Sequence, residues 1–394
     1  MTRERAFPIG ASLVLEQLEH DPHPVLAELR ASEPVSWVAA LEGWLVTRHD
    51  LALEVMRDAG TFTVDDPRFS TAQVIGPSML SLDGEEHRRH RSPFVAPFRP
   101  GPVRHRFQAP VAAEVERLLD GLEPDGEAEL RRAFAGPLAA AIIARALGLS
   151  GGEVDSVLPW YDAIVAAVTD ITAGRGLPAE GVEAFAQLGT ALAGGLDNDD
   201  DDGARSLLRA AADGSDLDRE QLASDAAVLL FGGTETTEGM ICNALLLVLQ
   251  RPELVARVRD DGTLLDAAIE ESLRLEPAAA VIDRYATTDV ELGGAAIARG
   301  ELVRISIAGA NRDPGVFERP DEFDLRRGQH QRHLAFAQGP HVCLGVHLAR
   351  LEARAALGAL LERLPSLRLD PARPPTIGGL VFRKPRELNV VWDG

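Results

Sequence analysis

Lysine is almost missing from this 394-residue chain: Lys384 stands alone against 39 arginines. That bias suggests a GC-rich gene and says little about mechanism. Cysteine is nearly as scarce. Cys242 and Cys343 are the only two, so no disulfide framework is available to staple the fold, and Cys242, inside an apolar helical run, reads as core. The chain also lacks a long uninterrupted hydrophobic run. Its most apolar stretch, Ala226 to Leu249, is broken by Glu235 and Glu238, which argues against a membrane span. Met1-Thr-Arg-Glu-Arg is not followed by an apolar core, so no signal peptide is visible and a cytoplasmic location is expected. A surplus of positive charge is missing too. The net charge of −21 excludes nucleic acid as a natural partner, because phosphate binding needs a basic face.

One region runs against that balance. Between His87 and Arg106 lie six arginines, three histidines and no acidic residue. This is either a solvated basic helix and loop or a local positive face that draws in an anionic partner.

Hydrophobic residues make up 45% of the chain, enough for a sizeable core. Long alanine- and leucine-rich stretches alternate with arginine and glutamate, which points to a mostly helical fold. Short β-prone pieces occur at Ser36–Val38, Trp44–Thr47, Val290–Leu292, Leu302–Ile307 and Leu388–Val391. No internal repeat is apparent. The acidic run Asp197–Asp202 is the one low-complexity patch and is expected to be a solvated loop between helices.

The ten residues Phe336-Ala-Gln-Gly339-Pro-His341-Val-Cys343-Leu-Gly345 carry the most information. They put a solitary cysteine in a glycine-bordered turn that feeds an amphipathic helix. Leu348, Leu351, Ala355, Leu357, Leu360 and Leu361 supply its apolar face, with Arg350, Glu352, Arg354 and Glu362 among the polar positions. A thiolate at a helix N-terminus is stabilised by free N–H groups and the helix dipole. Gly339 lets the chain fold back, and Gly345 lets backbone approach a flat ligand. Zinc is the rival reading, since His333, His341 and His347 are close by, but no second cysteine is near.

Residues 218–250 read as one helix of about 50 Å. Gly232 and Gly233 in its middle each cost about 1 kcal/mol against alanine, so something should need them. Glu271 and Arg274 lie three apart on a helix that ends before Pro277. His87 and Arg91 are four apart and share a helix face.

The loop F-x-x-G-x-x-x-C-x-G resembles the haem-binding loop of the cytochrome P-450 superfamily. Four further segments match in the family's order: His87-Arg-Arg-His-Arg91, Gly232-Gly233-Thr-Glu235-Thr236-Thr237, Glu271-Ser-Leu-Arg274, and Asn311-Arg-Asp-Pro314 with Phe323-Asp324-Leu-Arg-Arg327. The resemblance runs from about Trp44 to the C-terminus. It implies a mainly α fold, a triangular helical prism with a small β-rich region, built as a single domain over 1–394.

The resemblance further implies haem b with Cys343 as axial iron ligand, bordered by Phe336 and Gly345. His87, Arg91, Arg284 and His341 would pair the haem propionates, as two buried carboxylates must be paired. Gly232 and Gly233 would open a groove for dioxygen. Thr236 would hold a water and Glu235 would relay protons, because adjacent helix residues diverge by roughly 100° and cannot both face the haem. Glu271, Arg274 and Arg327 would hold the haem loop in place.

Substrate contacts by position would be Ile75, Leu80, Val228, Phe231, Ala280, Val281, Leu380 and Val381. The set is apolar, so desolvation would drive binding at about 25 cal/mol per Å². The implied function is a monooxygenase taking electrons from a ferredoxin, expected to be acidic, and a ferredoxin reductase. No flavin-binding or iron–sulfur segment is left over in the chain. A peroxide-driven haem-thiolate enzyme and a catalytically silent partner-binding relative are the alternatives.

Overall fold

The computed structural model describes residues 3–149, 152–172, 176–195, 206–328, 332–364 and 366–393; the Asp197–Asp202 run lies outside them. The helix expected over 218–250 runs from Arg219 to Leu249. Its start is fixed by a capping box. Asp218 accepts the Gln221 N–H at 2.9 Å, and the Gln221 side chain accepts the Asp218 N–H at 3.1 Å, satisfying two donors the helix itself cannot.

Apolar residues cover this central helix on all sides because it is enclosed. Every residue from Ala226 to Phe231 and from Met240 to Leu249 is buried, Cys242 among them. It packs against the helices Gly136–Ala146, Ala179–Gly195, Gly262–Leu275 and Val346–Arg363. No single described helix is long and apolar enough to cross a membrane.

Beside the helices stands a five-stranded sheet in the order Val35–Val38, Gly43–Val46, Leu302–Ser306, Val281–Ala286, Phe62–Thr63. The first two strands form a hairpin, the second runs parallel to Leu302–Ser306, and that strand is antiparallel to Val281–Ala286. Trp44, Val46, Val303 and Ile305 fill the core on one side of it. Of the other expected strands, Val290–Leu292 pairs with Ala295–Ile297, and Asn389–Val391 lies between Glu127–Glu129 and Arg368–Leu369.

The cysteine helix, Val346–Arg363, departs from its expected polar face at one position. Leu348, Leu357, Leu360 and Leu361 are buried as periodicity suggests, but so is Glu352, while Leu351 and Ala355 are only half-buried. The helix is wedged between the central helix, Gly262–Leu275 and Pro100–Leu122, so more than one stripe faces inward. Burial pushes the Glu352 carboxyl well above the ordinary carboxylate range, and its Oε1 finds no hydrogen-bond partner among the described residues.

Candidate active site

The turn ahead of the cysteine helix is tied at several points. Gly339 has φ +75, and a Cβ there would lie 2.3 Å from the Met56 carbonyl oxygen, so only glycine fits. Ala337 takes the left-handed region as well, with φ 55, a strained conformation for a side-chain-bearing residue. The Cys343 N–H donates to the Phe336 carbonyl at 2.8 Å, and the Ala337 N–H donates to Leu334 O at 2.8 Å.

Cys343 is exposed, and the surface it shows is a cavity wall. The cavity measures about 1290 Å³, above the ~300–1,000 Å³ of ordinary ligand pockets. Desolvation pushes the Cys343 thiol up; the Gly345 N–H, Arg91 and Arg350 oppose that without reversing it. A coordinated metal would overcome that desolvation, because a ligating thiol is deprotonated outright.

Two features of the walls, and one histidine behind them, fit a flat group that carries carboxylates and binds through sulfur. A Cβ added at Gly232 or Gly345 would meet nothing within 4 Å, although both residues line the cavity. Arg91 and Arg284 line it too. Neither has a carboxylate within ion-pair distance among the described residues: Arg91 donates to Val342 O, and Arg284 donates to Asp283 O at 2.7 Å. Burial lowers Arg284 to about 10, against the pull of Asp83 and Asp283. Finally, His87 is buried and its Nε2 has no partner among the described residues, while desolvation and the neighbouring charges of His341 and Arg91 lower it to about 4.

His341 sits otherwise than expected. It lines the cavity, but its Nε2 is 2.8 Å from Asp83 Oδ1, with its ring 4.3 Å from that of His87. Only Nδ1 is left to meet a carboxylate. Asp83 is thus a site residue that the sequence did not single out, since nothing local marks its partner. His87 stands behind the wall and does not line it.

On the central helix the two glycines separate in function. Gly233 is where Ile143 packs, its Cγ1 3.1 Å from where a Cβ would be, while Gly232 leaves open space. The helix stays regular there. The Thr236 hydroxyl donates back to Gly232 O at 2.6 Å, leaving its oxygen free to accept from a water. Glu235 and Thr236 both border the cavity, but the Glu235 carboxylate is turned to Lys384, 2.7 Å away.

Behind the cysteine, Glu271 is completely buried. Arg274 grips it with two bonds of 2.8 Å, and Arg327 and the Asp324 N–H each add one of 3.0 Å. Arg274 also donates to the carbonyls of Asn311, Pro320 and Glu322. Asn311 in turn accepts the Leu334 N–H at 2.7 Å, so the network reaches the cysteine turn within a few bonds. A second clamp was not visible in the sequence. Glu270 takes two bonds from Arg350 at 2.6 and 2.8 Å and lies 3.2 Å from His333 Nε2. Burial alone would raise Glu270, yet His333 and Arg350 hold it at about 2. His333 is thereby engaged, and among the described residues no cluster of His, Cys, Asp or Glu could hold a metal ion, which removes the zinc reading for them.

Of the eight expected substrate contacts, Leu80, Val228, Phe231, Val281, Leu380 and Val381 line the cavity. Ile75 and Ala280 do not. Ile75 is fully buried in the core, and Ala280 faces the opposite side of its segment, toward Leu18, Leu26 and Leu45; the extended chain there turns Ala279 and Val281 to the cavity instead. Val165, Val168, Thr169 and Ile171 of the helix Gly152–Thr172 also line it, though no local motif distinguishes them.

The family described as Cytochrome P450 matches residues 187–388. Nocardicin C N-oxygenase from Nocardia uniformis subsp. tsuyamanensis is 36% identical over 410 residues, covering 99% of each chain. Cytochrome P450 monooxygenase PikC from Streptomyces venezuelae is 36% identical over 367 residues, covering 89% of this chain and 85% of PikC. Among solved structures, P450BioI in complex with a hexadec-9Z-enoic acid ligated acyl carrier protein superposes with a TM-score of 0.84 at 30% identity, covering 95% of this chain and 99% of that one.

Proposed function

The chain belongs to the cytochrome P450 family, and from that premise we propose that this P450 monooxygenase oxidises, chiefly by hydroxylation, a compact apolar molecule with electrons from a separate ferredoxin and its reductase. The family's cofactor is haem held by a cysteine thiolate; when bound it supplies the reductive activation of dioxygen and the transfer of one oxygen atom.

We assign the thiolate to Cys343. The observation that carries this is an open sulfur in the same cavity as two guanidiniums that have no carboxylate partner among the described residues. Cys242 is no competitor, since it is enclosed in the core and burial pushes its thiol far up. Arg91, Arg284 and Nδ1 of His341 are the groups at the cavity available to pair the cofactor's carboxylates, with His87 packed behind His341. Gly232 and Gly345 keep the faces of the slot clear, and Phe336 closes its edge. Glu271, Arg274 and Arg327 hold the cysteine turn. Thr236 fixes a water over the slot, and Glu235 passes protons to it. Peroxide-driven turnover would need neither of the last two, so their position at the cavity favours the dioxygen route.

Leu80, Val228, Phe231, Val281, Leu380 and Val381 give an apolar lining, and Phe231 is pinned edge-to-face by Phe382 at 5.5 Å, which favours a compact or flat substrate. The whole chain, 1–394, is read as one domain, which agrees with a cavity lined by residues as distant as Leu15 and Phe382.

The basic run bears on the electron donor. Arg88, Arg99 and Arg104 are exposed, and Arg91 of the same run bonds the cysteine turn at Val342 O. An acidic ferredoxin docking there would reduce the enzyme at a rate that falls steeply with salt.

The deciding experiment is a reduced carbon monoxide difference spectrum of the haem-loaded protein and of Cys343→Ser. The family's signature band should appear in the first and vanish in the second. An unchanged Soret spectrum in Cys343→Ser would overturn the assignment.

A further inference from the structure

The motif His87-Arg-Arg-His-Arg91 has one histidine that the cofactor site leaves unused. His87 and Arg91 look toward the cysteine turn. His90, next to Arg91 and so turned by roughly 100° about the helix axis, looks into the protein instead. It is 2% exposed, and its Nδ1 lies 2.9 Å from Oδ2 of Asp225, a completely buried residue of the central helix. A carboxylate taken out of water is costly, so something should need this one. Burial pushes its carboxyl up, and His90, the Met79 N–H and Arg89 only partly offset that.

The other Asp225 oxygen shows what is held. Oδ1 accepts the Met79 N–H at 2.7 Å. One residue earlier, the Ser224 hydroxyl donates to Ile75 O at 2.7 Å. Both bonds fall on the stretch that joins the helices Ser70–Ile75 and Gly84–Val95. Gly76, at φ +78, turns the chain out of the first helix. The Ser78 N–H then donates to Ser81 Oγ at 3.1 Å, and Ser78 O accepts the N–H groups of Ser81 and Leu82 at 3.0 and 3.1 Å. This turn is therefore a small tied unit hung on two adjacent residues of the central helix. Connecting segments usually run over the surface, yet Ser78, Met79 and Ser81 are all buried here. Met79 and Leu80 line the cavity. A further contact fixes the crossing of the two helices: Arg89 donates to Gln221 Oε1 at 3.2 Å, and Gln221 and Asp225 lie four apart on one helix face.

We propose that the buried His90–Asp225 pair determines substrate specificity: His90 orients the Asp225 carboxylate, Asp225 holds the Met79 amide, and the Met79–Leu80 part of the cavity wall is thereby set in place before an apolar substrate arrives. Neither His90 nor Asp225 lines the cavity, so both are positioning residues. A wall fixed in advance spares the ligand the cost of ordering it.

The proposal rests on the reading of the cavity as a haem-bearing substrate chamber, and its test separates the two. Optical titration of the holoenzyme compares imidazole, a small ligand of haem iron, with clotrimazole, an azole whose aryl rings spread over an apolar lining. In the double variant His90→Leu, Asp225→Ala the clotrimazole Kd should rise about tenfold and the imidazole Kd stay within about twofold, because only the larger ligand must then order the wall. The double variant is expected to fold, since both members of a buried polar pair leave together and no charge is stranded. Asp225→Asn keeps an oxygen for the Met79 N–H, and its amide can donate to the other His90 tautomer. It should therefore match the wild type, which a role for the charge itself would not allow. Hydrogen exchange of peptide 76–82 reads the tether without any ligand: slow in the wild type, like the central helix, and fast in the double variant. Unchanged clotrimazole binding in the double variant overturns the proposal. So does fast exchange of that peptide in the wild type, a result that needs no variant. Failure of imidazole to shift the wild-type Soret band would instead sink the haem reading, and the exchange rates would still decide the tether.

Discussion

Asp83 and His341 lie 258 positions apart in sequence, and a carboxylate oxygen of the first stands 2.8 Å from Nε2 of the second. The other Asp83 oxygen accepts the Thr63 hydroxyl at 2.7 Å and the Val64 N–H at 2.9 Å. One side chain therefore joins the edge of the sheet to the cysteine turn. These bonds hold Asp83 below the usual carboxylate range, although burial works against them. Asp83 precedes the helix Gly84–Val95 but does not cap it with its side chain, so the helix start is not at stake. Asp83→Ala should release haem to a scavenging apoprotein about tenfold faster, the effect of losing about 1–3 kcal/mol at a buried polar network. An unchanged transfer rate would show that the turn does not depend on this tie.

Breaking the Glu271–Arg274 pair should be far more severe. Both side chains are fully buried, and losing one member strands the other's charge, at about 3–5 kcal/mol. Glu271→Gln is expected to lower Tm sharply and to yield protein that retains little haem. Arg327→Met should be milder, because Arg274 still satisfies Glu271. Differential scanning calorimetry of the two variants, side by side, checks the order.

Acid should find the Glu270 clamp. Its folded value of about 2 lies below the ordinary carboxylate value, so its contribution is complete above about pH 4.5. That contribution fades as pH falls from there toward 2, where the folded state must take up the proton as well. The loss is at most about 3 kcal/mol. Chemical denaturation at stepped pH should show a steeper decline in the wild type than in Glu270→Gln; parallel curves would mean that Arg350 and His333 do not hold this carboxylate as the geometry indicates.

The lining can be separated from the core by substitution. Phe231→Ala should enlarge the pocket and change the spin response of the haem to a bound substrate, and Phe382→Ala should follow it, since the two rings meet edge-to-face. Ile75→Val should leave that response alone while lowering stability by about 0.5–1.5 kcal/mol, the usual effect of a missing buried methyl group. Optical titration with one tight-binding ligand reads all three.

Local pattern made much of the site legible. The Cys343 turn, the central helix with its glycine pair, the Glu271–Arg274 spacing and most strands follow from residues near one another in sequence, where helical and strand periods dictate which side chains share a face. Ile75, at the end of the helix Ser70–Ile75, and Ala280, in an extended segment, do not line the cavity: position along a chain does not say which side of an element meets it.

By itself, then, the sequence determined most of the elements and the sulfur that a metal would choose, because these depend on backbone geometry and on neighbours within a turn or two. Only the tertiary structure decided which charges meet. It turned His341 to Asp83, placed Glu270 between Arg350 and His333, buried the Glu352 carboxyl, and set the lone lysine between two glutamates of the central helix. Such pairs arise from segments tens to hundreds of residues apart. Their energies depend on distance and on the exclusion of water, neither of which a linear pattern records.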